Sequence, residues 1–104
     1  MKLKEGMYVR TKGGKIYQLT ELDLQFEMTK QTTAKASNNI IDLIEVGDII
    51  TYEFPTGLGM LKYENVTVLP ELLNVLKNGE NNHEYTILSI VTKEQFESMS
   101  YKVN

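Results

Sequence analysis

The chain of 104 residues contains no cysteine. Disulfide bonds, thiolate metal sites and cysteine nucleophiles are therefore excluded, and the absence of disulfides fits a reducing cytoplasm. No apolar run approaches the roughly 20 residues that a membrane-spanning helix needs. The N-terminal lysines are not followed by the apolar segment of a secretory signal. We therefore expect a cytoplasmic protein.

Residues with catalytic chemistry are equally scarce. The single histidine, His83, lies in a polar stretch, and a lone histidine provides neither the three or four ligands of a zinc site nor the orienting partner of a general base. The glycine pair between Lys12 and Lys15 lacks the spacing of a phosphate-binding loop, and a hairpin turn explains it. The sequence therefore predicts a protein that is not an enzyme and that binds no cofactor or metal.

Positive charge is scarce beyond the N-terminal segment, and the net charge is −3. Residues 1–15 hold five basic side chains and one acid, whereas residues 16–54 hold two basic side chains and seven acids. Nucleic-acid-binding proteins usually carry clustered positive charge, so the acidic middle disfavours this function. A second hypothesis is a small nucleic-acid-binding barrel whose basic N-terminal hairpin uses Arg10, Lys12, Lys15, Tyr8 and Tyr17, and a third is an enzyme with an unrecognised site.

Strand patterns dominate the rest of the chain. Met7–Lys12 and Lys15–Leu19 flank the glycine pair and predict a hairpin. Leu22–Thr29 alternates strictly between apolar and polar residues, which indicates a strand with one buried face. Ile49–Phe54 is rich in β-branched and aromatic residues, and Tyr85–Val91 has the composition of a buried strand. Further strands are predicted in Met60–Leu69 and at Tyr101–Val103.

Helix signals are short. Pro70–Leu76 begins with a proline, which suits a first helical turn, and Thr92 precedes a helix to about Ser98. Lys30–Asn39 is polar and is expected to be a loop. Ser37 has the side chain to cap one helical turn over residues 38–43, although two adjacent isoleucines there argue against it, so this point stays open.

Two glycines, Gly6 and Gly47, are each followed by one residue and then two bulky apolar residues that lead into a predicted strand. Such strands are common in small barrels. We therefore predict a single mainly β domain over residues 1–104, with a minor helical part. Its expected architecture is a small SH3-like or open antiparallel barrel or sheet with one or two short helices.

Candidate binding residues lie near the middle of the chain. Tyrosine is enriched at protein interfaces, and aromatic and aliphatic residues flank the turn-rich stretch of residues 55–59. An acidic cluster precedes them, although Asp48 would equally satisfy backbone amides in its own turn. The predicted partner-binding residues are Tyr52, Phe54, Leu58, Met60, Tyr63, Asp42, Glu45 and Asp48.

The segment NIIDLIEVGD at residues 39–48 resembles a signature in many small uncharacterised proteins of Firmicute phages and integrated elements. Residues 5–12 resemble the first strand of these proteins, and VTKEQFE at residues 91–97 resembles their C-terminal strand and short helix. Residues 55–84 depart from the pattern as a possible inserted segment. The resemblance implies a phage accessory protein of the bacterial cytoplasm that binds a host protein, as anti-CRISPR and other anti-defence inhibitors do. The oligomeric state and the identity of the partner stay open.

Overall fold

The computed structural model describes residues 2–78 and 85–99. The chain divides into two compact units, one made of Met1–Leu43 and Glu94–Asn104 and the other of Ile44–Lys93. The single domain with an inserted segment at residues 55–84 stays a prediction. His83 and the strand predicted at Tyr101–Val103 lie outside the described residues.

The first unit contains an antiparallel sheet of three strands in the order β2-β1-β3. The predicted hairpin is confirmed: β1 (Tyr8–Thr11) pairs with β2 (Ile16–Gln18), and the backbone N–H of Thr11 donates to the carbonyl of Lys15 at 2.8 Å. The turn contains Gly14 at φ 89°, in the left-handed region that glycine enters at low cost.

The strand predicted at Leu22–Thr29 is wrong. This stretch forms a 3₁₀ turn at Asp23–Gln25 and the helix α1 (Glu27–Thr32). A reciprocal cap explains the difference, because the Asp23 carboxylate accepts the N–H and hydroxyl of Thr20 at 2.8 and 2.9 Å, while the N–H of Asp23 donates back to the Thr20 hydroxyl oxygen. The alternation of apolar and polar residues carries no information about such a capping hydrogen bond, so it predicted a strand.

The loop predicted at Lys30–Asn39 is also wrong, since β3 (Thr33–Ser37) pairs antiparallel with β1 along its second edge. Pairing with a central strand outweighs the polar composition of the segment. The open question about the next turn is settled in favour of a helical turn, a 3₁₀ turn at Ile40–Leu43. The Ser37 hydroxyl accepts the N–H of Asn39 and donates to Asp42, and the Asn39 side chain accepts the N–H of Ile41.

The second unit contains another antiparallel sheet, in the order β5-β4-β6. Its strands are β4 (Ile49–Thr56), β5 (Gly59–Thr67) and β6 (Thr86–Val91). A bulge interrupts the β4–β5 ladder between Ile50 and Tyr52, and Asn65 adopts φ 51° opposite it.

Three short helices occur in the described residues, where one or two were predicted. The helix predicted after Pro70 is confirmed as α2 (Pro70–Asn78) and lies between β5 and β6. The helix predicted after Thr92 is confirmed as α3 (Lys93–Met99). The additional helix is α1.

Each unit has its own buried side chains. The first unit buries Val9, Leu19 and Leu43 with the charged Arg10, and the second buries Ile44, Ile50, Val68 and Leu76 with the charged Asp48. The segment predicted as a buried strand, β6, is instead half-buried to exposed. Among the described residues β6 pairs only with β4, so its position at an edge explains its exposure.

The mainly β fold class is confirmed. In the described residues both sheets are linear arrays of three strands, so neither closes into a barrel, and the open arrangement is the one observed. The two units also follow the same path: two antiparallel strands, a helix, and a third strand that pairs with the first.

Candidate functional site

Four aromatic rings gather on one face of the second sheet. The Tyr52 ring lies 5.5 Å from Tyr63, 5.9 Å from Tyr85 and 6.3 Å from Phe54, measured between centroids. Phe54 lies 5.9 Å from Tyr63 and 5.3 Å from Tyr85. These separations are within the 4.5–7 Å range of favourable ring pairs. We call Tyr52, Phe54, Leu61, Tyr63 and Tyr85 the aromatic face.

Strand register builds this face from residues distant in sequence. Tyr52 is opposite Tyr63 and Phe54 is opposite Leu61 in the β4–β5 ladder, and directly opposed residues share one side of an antiparallel sheet. Glu53 and Lys62 alternate with these residues, so they lie opposite each other on the other side of the sheet. One side of the hairpin is therefore aromatic and the other is charged.

The exposure of the aromatic face increases towards β5. Tyr52, on the central strand, is buried, whereas Leu61 and Tyr63 are 42% and 43% exposed. Burial raises the pKa of the Tyr52 phenol above its usual value of 10.0, and the neighbouring phenols of Tyr63 and Tyr85 raise it further. The face therefore has a buried base and an accessible outer half.

The structure brings three of the predicted residues together, Tyr52, Phe54 and Tyr63. Leu58 lies at the tip of the β4–β5 hairpin and is fully exposed, at 103%. Met60 is exposed and alternates with Leu61, so it faces the other side of the strand. These two residues border the aromatic face without belonging to it.

Sequence reasoning missed Leu61 and Tyr85 as members of the face. Leu61 was recognisable, because it is two residues from Tyr63 within a predicted strand. Tyr85 follows a long intervening segment and reaches Phe54 only through tertiary folding, so no local pattern identifies it.

The three predicted acids divide between the two units. Asp42 lies in the first unit and accepts the hydroxyl of Ser37. Asp48 is 0% exposed and accepts the backbone N–H groups of Glu45 at 2.8 Å and Lys93 at 3.0 Å, so its role is structural, the alternative considered from the sequence. Glu45 pairs with the Lys93 ammonium at 2.9 Å. In residues 2–78 and 85–99, no group of three His, Cys, Asp or Glu residues is placed to hold a metal ion.

The basic hairpin differs from its predicted role. Arg10 is 1% exposed, donates to the Leu43 carbonyl at 2.9 Å and pairs with the Glu94 carboxylate at 2.7 Å. A buried, paired guanidinium cannot reach a nucleic-acid phosphate. Arg10 is therefore not available for the nucleic-acid binding considered as the alternative function. Lys12 and Lys15 are exposed, and the Lys15 ammonium lies 5.5 Å from the centre of the Tyr17 ring.

A shallow groove of about 520 Å³ lies beside this hairpin in the first unit. The pKa of Asp23 is lowered by the hydrogen bonds from Thr20 and, to a smaller extent, by the charge of Lys15. The groove therefore combines an ionised acid with two lysines, a mixed charge that favours no simple anion. Its lining residues are Thr11, Lys12, Gly13, Lys15, Tyr17, Asp23, Gln31 and Thr32.

Comparisons with protein-family models, with curated proteins and with solved structures found no match to this chain. Among the described residues, no helix is long and apolar enough to cross a membrane.

Proposed function

We propose that this chain is a non-enzymatic protein-binding module that engages a protein partner through the aromatic face. The main support is the ring cluster of Tyr52, Phe54, Tyr63 and Tyr85, of which Tyr63 is exposed on the β4–β5 hairpin. Rigid aromatic side chains contribute a large share of the energy in protein interfaces, and tyrosine is enriched among them.

The packing of the rings supports this use. Tyr52 is held at the base by Tyr63 on one neighbouring strand and by Tyr85 ahead of the other, so the accessible rings are fixed before a partner arrives. Preorganised side chains lose less conformational entropy on binding than mobile ones. Exposed Leu58, at the tip of the hairpin, adds apolar surface next to the aromatic face, whereas Met60 faces the other side of the strand.

The partner that we propose is a bacterial host protein, and the proposed effect is inhibition of host defence, with CRISPR effectors as one class of target. This part rests on the resemblance of residues 39–48 and 91–97 to phage and integrated-element proteins. The location of Arg10 in the interior weighs against a nucleic-acid partner.

The test is an affinity pull-down of the tagged chain from Firmicute lysate, with and without nuclease, followed by direct binding measurements on the purified candidate. Replacing Leu61 and Tyr63 together by serine is expected to weaken binding about tenfold or more, because both are accessible members of the face. An inhibition assay of the captured protein then tests the proposed effect.

The matched control replaces Leu22 and Phe26 by serine, two exposed apolar residues of the first unit. Their side chains are 61% and 56% exposed, so this variant loses at least as much exposed apolar surface, and it is expected to bind as the wild type does. Equal losses in both variants would contradict the assignment of the face, and capture that disappears with nuclease would favour the nucleic-acid alternative.

A further inference from the structure

We propose that two copies of this chain pair through the edge of β5, in antiparallel register about Tyr63. The second copy would extend the sheet of the second unit from three strands to six. This inference concerns self-association and does not rest on the proposed host partner.

The first support is the position of β5 in its sheet. Among the described residues β5 pairs only with β4, and eight of its nine residues are exposed along the burial pattern eeeeeeeie. An edge strand presents backbone N–H and C=O groups on its outer side, which can pair with another strand.

The second support is the charge order along β5. Lys62 and Glu64 lie on the same side of the strand, with their charged atoms 3.2 Å apart. If Tyr63 of one copy is opposite Tyr63 of the other, Lys62 of each copy is opposite Glu64 of its partner. Opposite charges at directly opposed positions stabilise an antiparallel pair, and the two-fold axis produces this contact twice.

The charge order also favours the axis at Tyr63 over an axis at either adjacent residue. A shift of the two-fold axis to Lys62 or to Glu64 would place like charges directly opposite each other, which is destabilising. A symmetric antiparallel pair keeps the two sheets facing the same way, so the two aromatic faces would form one continuous surface with Tyr63 at its centre.

The bulge at Asn65 limits how far the pairing extends. Asn65 adopts φ 51° and donates its N–H to the Thr51 hydroxyl, so the regular course of β5 ends one residue after Glu64. The shared ladder is therefore short and centred on residues 62–64. We expect a weak dimer that dissociates on dilution.

The test is a charge exchange followed by sedimentation velocity over a range of protein concentrations. Lys62→Glu and Glu64→Lys each create two like-charge pairs across the axis, and each is expected to weaken the dimer about tenfold. An equimolar mixture of the two variants restores opposite charges at every opposed position. The mixture is therefore expected to dimerise when neither component does.

Control variants make the same charge changes elsewhere in the second unit. Lys77→Glu and Glu71→Lys alter exposed residues of α2 and are expected to dimerise as the wild type does. A wild type that stays monomeric at high concentration, single variants that dimerise unchanged, or a mixture that behaves like its components would each overturn the proposal.

A cross-link gives a second measurement. Because the chain has no cysteine, Tyr63→Cys introduces a unique thiol at the proposed axis. Oxidation or a short bifunctional thiol reagent is expected to link two copies of Tyr63→Cys far faster than two copies of Lys77→Cys. Equal rates of linking would place the contact elsewhere and overturn the register.

Discussion

The two units begin their sheets in the same way. In the first, the N–H of Gly6 donates to the Leu19 carbonyl at 2.9 Å, and the N–H of Leu19 returns to the Met7 carbonyl at 2.8 Å. In the second, the N–H of Gly47 donates to the Val68 carbonyl at 2.9 Å, and the N–H of Val68 donates to the Asp48 carbonyl at 2.7 Å. Both glycines have positive φ, 88° and 98°. With the shared strand order, these contacts describe one ββαβ pattern that occurs twice in the chain.

The hairpins differ in length beyond this common start. β2 has three residues and β5 has nine, so the second hairpin continues well past the point where the first one turns. Phe54, Leu61 and Tyr63 lie on this extension, and Tyr52 lies where it begins. Because the first unit forms its sheet without an equivalent, the extension is not required by the pattern. This difference is the reason to test the longer hairpin first as the proposed binding region.

The two central strands differ in what they bury. β1 buries the adjacent residues Val9 and Arg10, which point to opposite sides of the strand, so both sides are covered there. β4 buries Ile50 and Tyr52 and leaves the residues between and beside them half-buried. β1 therefore has no exposed side at this point, whereas β4 supports the aromatic face, which continues onto exposed β5.

The largest expected effect concerns the buried charge of the first unit. Glu94→Gln removes the carboxylate that lies 2.7 Å from the Arg10 guanidinium and leaves this cation in the interior. Breaking a buried pair in this way is costly, and because Glu94 is itself partly exposed we expect a loss of about 3 kcal/mol in the free energy of unfolding. Urea unfolding measures it. Glu97→Gln, on the exposed surface of the same helix, is the control, and equal stability of the two variants would contradict the role of the pair.

The second unit contains a buried charge of opposite sign. Asp48→Ala leaves the backbone N–H groups of Glu45 and Lys93 without their carboxylate, so we expect a loss of about 2 kcal/mol in urea unfolding. Asp42→Ala, which removes an exposed carboxylate in the first unit, is expected to cost less than about 1 kcal/mol. If the two variants lost the same stability, burial of Asp48 would not be the source of its contribution.

The equivalence of the two starts is tested by Gly6→Ala and Gly47→Ala. A Cβ at Gly6 would meet no atom within 4 Å, and one at Gly47 would meet Lys93 side-chain atoms at ordinary distances of 3.6 and 3.7 Å. Backbone strain at positive φ is therefore the common cost, and we expect each variant to lose about 1–2 kcal/mol. Gly57→Ala, at a glycine without positive φ, is the control. A large difference between the first two would show that the starts are not equivalent.

Sequence reasoning identified the elements whose signal is local. The glycine pair marked the first hairpin, Pro70 marked α2, and the glycine pattern at Gly6 and Gly47 marked the two starts. It failed where a nonlocal or capping contact decides the structure. Thr20 and Asp23 convert an alternating stretch into helical turns, and β1 recruits the polar segment Thr33–Ser37 as a strand.

The candidate site shows the same division. Tyr52, Phe54 and Tyr63 could be selected because aromatic residues in strands near an exposed turn are good interface candidates. Their mutual contact could not, since it depends on the β4–β5 register and its bulge. The interior position of Arg10 could not be predicted either, because its partner Glu94 is 84 residues away in sequence.

The smallest expected effect is a pH dependence of stability specific to the second unit. The pKa of Tyr52 in the folded chain is raised above the usual 10.0, chiefly by burial, so folding favours the neutral phenol. The associated stability is fully present below about pH 10 and is lost as the pH rises through the raised pKa. Tyr52→Phe removes the titrating group, so the fall in urea midpoint between about pH 9 and pH 11 is expected to be shallower in this variant than in the wild type. The difference between the two urea midpoints at about pH 8 corrects for the lost hydroxyl. If the midpoints of the two proteins fell in parallel up to about pH 11, burial at the base of the aromatic face would not bias the ionisation of Tyr52.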